Sequence, residues 1–294
     1  MSIRNFVPEV WNANLLVALR KTLIFGSPAI INRDYEGDIA AAGDTVRVTS
    51  VGRPNIVDYV PGVTKLTPEA LNTGQRTLVV DQAKAFAFEV DDVDARQALG
   101  TFMNEAGEEA GFGLADIIDQ YIANLYTEIP ASQRLPEVQI PGGEASSEAD
   151  VRKVYDQIFV PLRVRLDEMN VPRTGRYITI PPWIEGAVSR DPRFVEADKS
   201  ANASTLRTGE IGRAAGFSIF LTNNCPEPVE GTNVIQAGTP RGITFADQIN
   251  KTEAYRPESS FADAVKGLSL YGAKLMRPDV MVMATATRLG DATP

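Results

Sequence analysis

The sequence predicts a mixed α+β chain in two lobes, with an N-terminal arm and a protruding hairpin, and three observations carry that expectation. Polar and apolar residues alternate with period two over Asp44 to Val51 and over Thr77 to Val90, as half-buried strands require. Apolar residues recur at helical spacing over Asp91 to Glu128 and over Val151 to Met169. Between the first two strands lies Gly52 to Arg76, far longer than the few residues that usually join a hairpin.

The arm comes first. Pro8 stands near the start of a helix whose Trp11, Leu15, Leu19 and Leu23 share one face, and Gly26 and Pro28 mark its end. That face has two candidate docks, its own domain or a neighbouring subunit. In the long loop that follows the first strand, Ile56, Val57, Tyr59, Val60, Val63, Leu66 and Leu71 are retained, whereas disordered segments are depleted in such residues. The loop therefore reads as a long hairpin ordered by a partner.

After the second strand, Asp91 to Glu128 reads as one long helix or two collinear ones, in which Gly100, Gly107, Gly111 and Gly113 are expected either to allow a bend or to let another backbone approach closely. Asp91, Asp92, Asp94, Glu105, Glu108, Glu109, Asp116 and Asp119 crowd it, and Arg96 is its only base, so its exposed side is expected to be strongly negative. Leu135 to Glu144, with Pro136, Pro141, Gly142 and Gly143, reads as a crossing between domains. A second helix opens with a capping box at Ser147 and Asp150, kinks at Pro161 and ends at Asn170 and Pro172. Strands are expected at Tyr177 to Ile180, Phe217 to Thr222, Gly267 to Leu275 and Val280 to Leu289, the last two joined by a turn at Arg277, Pro278 and Asp279.

Composition narrows the chemistry. The 294 residues are 44% hydrophobic and 23% charged, which places the chain among ordinary globular proteins. It contains no histidine, so no Ser-His-Asp or Cys-His site can form within one chain. Cys225 is the only cysteine, which excludes an intrachain disulfide and the usual thiolate zinc site. A formal charge of -9 argues against a dedicated nucleic-acid binder, which needs clustered Lys and Arg. The most apolar N-terminal stretch, Leu15 to Phe25, is interrupted by Arg20 and Lys21 and is too short to span a bilayer, so a protein made and used in a cytoplasm is expected.

No constellation nominates a catalytic, cofactor or metal site. Glu89, Asp91, Asp92 and Asp94 lack the glycine turn and bidentate glutamate of a calcium loop, and read instead as a solvated helix N-terminus. Gly209, Gly212 and Gly216 have neither the dinucleotide nor the P-loop spacing and read as turn glycines. Asn202 and Asn250 match the glycosylation pattern without a secretory signal to give it meaning. A hydrolase using two carboxylates stays open because any of the 38 acidic residues could serve, yet no spacing singles out a pair.

The order of elements, with the stretches Asn32 to Ile39, Ala42 to Val48, Phe88 to Gln97, Gly209 to Phe217 and Thr222 to Pro226, resembles the major capsid proteins of tailed phages with the Hong Kong 97-type fold. The resemblance runs along nearly the whole chain. It implies an N-arm at 1–35, an extended β-hairpin loop at 36–85, a peripheral domain with a long spine helix at 86–140 and 256–294, and an axial domain at 141–255. It also implies a non-enzymatic protein of the virion capsid, assembled in the host cytoplasm as pentamers and hexamers of an icosahedral shell that encloses double-stranded DNA. The implied partners are further copies of the chain, a separate scaffold protein, a portal and a decoration protein, with no cofactor and no membrane. Contact residues expected on this basis are Trp11 and Leu15 on the arm, Arg53, Tyr59 and Lys65 on the loop, and Asp91, Asp92 and Asp94 beside the long helix. Some relatives crosslink a loop lysine to an asparagine of a neighbour. Lys65 is the only lysine in the loop and no partner glutamate is apparent, so no crosslink is expected. Two other readings are carried: an encapsulin-like shell of a cellular compartment, which shares the fold, and the carboxylate-pair hydrolase.

Overall fold

The computed structural model describes residues 23–34, 45–51, 56, 58, 61, 73–91, 102–141, 148–190, 210–256 and 262–289. Strands β1 (Thr45–Val51) and β2 (Thr73–Val79) form an antiparallel pair in which Val46 faces Leu78 and Val48 faces Arg76. The hairpin expected from the alternation is therefore present at its root. Its second strand is not the single run expected from Thr77 to Val90: β2 stops at Val79, and β3 (Gln82–Asp91) begins a different sheet. The alternation continues across the join because Leu78 and Val80 are both buried, so period alone gives no sign that the partner strand has changed.

In that second sheet β3 pairs antiparallel with β10 (Ala262–Leu275), whose other neighbour is β9 (Ile243–Tyr255). Gly267 of β10 lies opposite Phe86, and an added Cβ there would strike the Phe86 ring. The glycine supplies a seat for the aromatic ring across the pair.

The third sheet has six strands among the described residues. It runs in the order β4 (Val138–Pro141), β11 (Met281–Leu289), β8 (Thr232–Gly238), β5 (Tyr177–Ile180), β7 (Phe217–Leu221), β6 (Glu210–Ala214). The two C-terminal strands pair with earlier parts of the chain, but only one of them rejoins the strand at Phe86. β10 returns to Phe86, while β11 lies between β8 and β4. Ala215 and Gly216 take positive φ of 50° and 84° between β6 and β7, the geometry of a tight two-residue hairpin turn, which accounts for Gly216. Gly212 lies in β6 at a register shift, so it is a strand glycine and not a turn glycine.

Helix α1 (Phe102–Ala123) runs on into a 3₁₀ turn at Asn124–Glu128. It is continuous through Gly107, Gly111 and Gly113, and Asp91 belongs to β3 and not to the helix. The second helical segment comprises α2 (Glu148–Val154), a π-helical turn at Tyr155–Phe159 and α3 (Val160–Glu168). Pro161 has no N–H to donate and its ring crowds the carbonyl four residues back, and the wide turn just before it accommodates both. Asn170, at φ 57°, closes the helix: Val171 N–H donates to Leu166 O at 3.0 Å and Asn170 N–H to Asp167 O at 3.0 Å, the pairing of a left-handed helix cap. A further helix, α4 (Pro182–Val188), not among the elements expected, follows β5; Pro182 initiates it where its missing N–H costs nothing.

One apolar cluster connects these parts. It joins Ile118 and Ile122 of α1 to Ile158, Phe159, Leu162 and Leu166 of the second helical segment, and to both larger sheets through Ile178, Ile235, Phe245 and Tyr271. Arg176 is a buried ion beside this core, 3% exposed. Its guanidinium donates to Pro172 O at 3.0 Å and Val171 O at 2.5 Å and meets Asp167 Oδ1 at 2.7 Å. Those bonds to Arg176, with help from Arg173, hold the Asp167 carboxyl below the usual carboxylate range. Arg176→Met is expected to cost about 3 kcal/mol in urea unfolding, because two buried carbonyls lose their donor together with the carboxylate. The depressed Asp167 adds stability that is present above its ordinary pKa and is lost as pH falls through its lower folded value. Asp167→Asn is therefore expected to flatten the acid limb of the stability profile, read as urea midpoints between about pH 6 and pH 3.

Candidate assembly surfaces

The hairpin is rooted firmly. At the root Leu78 and Val80 are buried with Ala246, Leu270 and Met276. Arg76 Nη1 donates to Leu275 O at 2.9 Å and Lys274 Nζ to Thr77 O at 3.0 Å, so both sides of the crossing are tied. β10 passes so close that an added Cβ on Gly272 would strike the Val79 carbonyl oxygen and lie 2.9 Å from Val80 Cα. Beyond the root, Ile56 is 96% exposed, and Asp58 and Pro61 are exposed too. A β-branched apolar side chain this bare is stabilised by almost nothing in its own chain.

The outer face of the three-stranded sheet is a second open surface. Ala83, Ala85, Ala87 and Glu89 of β3, Lys266 and Leu268 of β10, and Glu253 and Tyr255 of β9 are all exposed there. Lys266 Nζ meets Glu253 at 2.9 Å and lies 5.2 Å from the Tyr255 ring centre, which orients the lysine across the sheet with little net stabilisation at this exposure.

A carboxylate clamp on α1 fixes the segment that leads from the arm. Asp119 accepts N–H bonds from Ile24 at 3.1 Å and Phe25 at 3.2 Å on Oδ2, and from Gly26 at 3.1 Å on Oδ1. It is 2% exposed, so it is not part of the negative exposed side on which the sequence placed it. Burial pushes its carboxyl up more than the three amides pull it down. Asn224, from the loop after β7, donates to Asp116 Oδ1 at 2.9 Å and draws a second segment to the same helix. The clamped segment then meets the edge of β9, where Asn32 N–H donates to Ile243 O at 2.9 Å and Phe245 N–H to Asn32 O at 3.0 Å. Arg33 lies 5.1 Å from the Phe245 ring centre and 3.6 Å from Asp247.

The clamp is a feature that sequence reasoning missed, although a signal existed. Asp119 follows Ala115 by four residues and precedes Ala123 by four, which puts it on the buried face of α1 with Ile118 and Ile122. A carboxylate on that face must find donors.

Of the residues nominated for contact, Trp11, Leu15, Arg53, Tyr59, Lys65, Asp92 and Asp94 lie outside the described residues, as do 1–22 of the arm. Asp91 closes β3 opposite Ala262. Among the acids of α1, Glu108 and Glu109 are exposed and Asp116 is half-buried. Cys225 is buried, and burial pushes its thiol up to about 12, so it stays protonated and unreactive near neutral pH. Among the described residues, no group of three or more acids and cysteines could hold a metal ion, and no helix is long and apolar enough to cross a membrane.

No protein-family model and no curated protein matches this chain. Solved structures do. A chain from Mycobacterium phage Che8 is 28% identical, with a TM-score of 0.65 over 89% of this chain and 90% of that one. The capsid structure of the cyanophage P-SCSP1u gives 18% identity and a TM-score of 0.66 over 92% of this chain and 90% of that one. A virus-like particle from Pyrococcus furiosus gives 15% identity and a TM-score of 0.54 over 94% of this chain and 98% of that one. The resemblance drawn from the residues is borne out: the chain has the mixed α+β fold of phage capsid structures.

Proposed function

We propose that this chain, whose fold is that of phage capsid structures, is the major capsid protein of a tailed phage, a non-enzymatic shell subunit that works by burying surface against further copies of itself. The observation that carries the reading is the extent of the likeness, about nine-tenths of both chains for the Che8 and cyanophage structures. Shells of this kind close because each heterologous contact repeats with symmetry. Copies arranged as pentamers and hexamers around double-stranded DNA are the form the reading takes, with roughly 2,000 Å² or more buried per obligate contact. A separate scaffold, a portal and a decoration protein are its further partners, and the host cytoplasm is its place of assembly.

In this reading residues 1–35 are the N-arm, 36–85 the extended loop, 86–140 and 256–294 the peripheral domain, and 141–255 the axial domain. The loop lies over an adjacent subunit through Arg53, Tyr59 and Lys65 together with Ile56. Asp91, Asp92 and Asp94 answer basic groups of a neighbour, and Trp11 and Leu15 anchor the arm. The bare Ile56 side chain on a tightly rooted hairpin supports the loop's role. The Pyrococcus particle keeps a compartment shell as the second reading, but identity is higher to the phage chain, 28% against 15%.

The test is expression of the chain alone and with its candidate scaffold, followed by sedimentation and negative-stain electron microscopy. Closed shells or capsomer rings are the expected products, and a persistent monomer under both conditions overturns the reading. Ile56→Asp is expected to cut particle yield at least tenfold while shifting monomer stability by no more than about 0.5 kcal/mol, since the side chain touches almost nothing in its own chain. Equal loss of stability and of particles would mean that the hairpin serves the fold and not the contact.

A further inference from the structure

Positive charge gathers at the hairpin root, against the sign of a chain whose formal charge is -9. Leu275, the last residue of β10, is held there from both sides: Arg76 Nη1 donates to its carbonyl at 2.9 Å, and its own N–H donates to Glu128 Oε2 at 3.2 Å. Lys274 Nζ donates to Thr77 O at 3.0 Å, and the amide of Arg277 donates to Gly242 O at 3.0 Å, which brings Arg277 beside Arg241. The carbonyls that Arg76 and Lys274 meet are neutral, so neither side chain has its charge cancelled there. Arg76, Arg241 and Arg277 are exposed and Lys274 is half-buried; the acids among them are Glu128 and Asp279, the latter 2.9 Å from Arg277. The next acid along, Asp81, accepts from Tyr121 and Gln82 instead. Val79, 42% exposed on the same crossing, adds an apolar spot.

The complement lies toward the far end of α1. Phe102–Ala123 holds no Lys or Arg, and Glu108 and Glu109 are exposed, with Phe112, 53% exposed, one turn further along on the same side. An aromatic anchor flanked by two carboxylates fits a basic surface with an apolar spot, and aromatic and arginine side chains are those that carry most interface energy. Within one chain the two surfaces are too far apart to meet. Helix α1 is fixed to β10 at its other end, where the Tyr121 and Tyr271 rings lie 5.4 Å apart and Glu128 reaches Leu275. Glu108 precedes Tyr121 by thirteen residues, about 20 Å along a helix, farther than an arginine and a glutamate side chain together span.

We infer that the basic hairpin root of one copy receives Phe112, Glu108 and Glu109 of a second copy. The contact joins different parts of the chain, so it is heterologous and can repeat from copy to copy until a ring closes. Exposed ion pairs add little net stabilisation, so their effect is to steer the encounter and fix its register, which salt screens. The inference rests on the proposed shell function and names the partner surface of the hairpin root.

The experiment compares full-length chains with reversed charge: Arg241→Glu with Arg277→Glu, Glu108→Lys with Glu109→Lys, and all four together. Arg76 and Lys274, which tie the root, are left in place. Under the condition that gives wild-type particles, and at low salt, each pair alone is expected to slow particle formation about tenfold by light scattering and negative-stain electron microscopy, with Tm unchanged. The fourfold variant should return to within about threefold of wild type. Wild type should also slow as salt rises from about 0.05 to 0.5 M, and Glu108→Gln with Glu109→Gln, which keeps shape and removes charge, should flatten that dependence. Reversed pairs that assemble like wild type overturn the inference and leave the shell reading standing, as does a fourfold variant no faster than either pair. A wild-type chain that never assembles overturns both. Assembly unaltered but duplex DNA binding lost in Arg241→Glu with Arg277→Glu would give the patch to nucleic acid and overturn the inference equally.

Discussion

Replacing Gly272 with valine is expected to cost about 3 kcal/mol or more in urea unfolding and to free the hairpin root. The reason is the identity of the atoms that the new side chain would meet. At Gly272 an added Cβ strikes the Val79 carbonyl oxygen and lies 2.9 Å from Val80 Cα, so backbone and not a movable side chain stands in the way. Either β10 must lift from β9 and β3 or the root must move off Leu270 and Met276, and both routes uncover Leu78 and Val80. Gly272→Ala should show the same sign at smaller size, because the clash begins at Cβ. At Gly267 the obstacle is the Phe86 ring, which can rotate aside, so alanine there should be the milder change. Equal stability of wild type and Gly272→Ala would show that the crossing is looser than described. A variant of Gly272 that folds should be cut within residues 45–79 by proteases that leave the wild-type chain intact.

Asp119→Ala is expected to cost about 4 kcal/mol, because the amides of Ile24, Phe25 and Gly26 lose a charged acceptor at a site only 2% exposed. Water entering the space left by the carboxyl would recover part of the loss, which is why the expected cost is below three full charged hydrogen bonds. Asp119→Asn retains one carbonyl oxygen but turns an NH₂ group toward an amide, so about half the cost is expected. Amide hydrogen exchange gives a local check: protection at Ile24, Phe25 and Gly26 should fall in both variants, while that of Leu162 and Leu166, in the other helical segment, should change only with global stability. Full protection of residues 24–26 in Asp119→Ala would show that the clamp does not hold this segment.

Much of the fold was legible because helices and strands announce themselves within a few residues. The stripe Val151, Val154, Ile158, Leu162 and Leu166 is buried as its spacing predicts, and Asn170 ends that helix by the left-handed turn its side chain tolerates. Tyr177 to Ile180 is a strand as expected, and it is buried on both faces. The failures have a common cause. β8 and β9 passed unnoticed because Val234 to Gly238 is too short to separate strand from helix, and because Asp247, Gln248, Asn250 and Lys251 give β9 a polar stretch with a register shift opposite it. The residues named for contact between subunits fall almost wholly outside the described residues, so they remain a proposal.

By itself the sequence determined that this is a mixed α+β chain without histidine chemistry, with a strand at Thr45 to Val51 and an acidic helix, since each of these is a property of composition or of neighbouring residues. Only the tertiary structure decided where the strands go: that Val79 ends one sheet and Gln82 begins another, that β10 seats Phe86 on Gly267, and that β11 leaves it for the six-stranded sheet. Only the tertiary structure turned Asp119 inward, onto amides as many as 95 residues away. The physical reason is that periodicity is set by the backbone's local repeat, whereas strand partners and donors for a buried charge are chosen by long-range packing, which many chain paths with the same periodicity could satisfy differently.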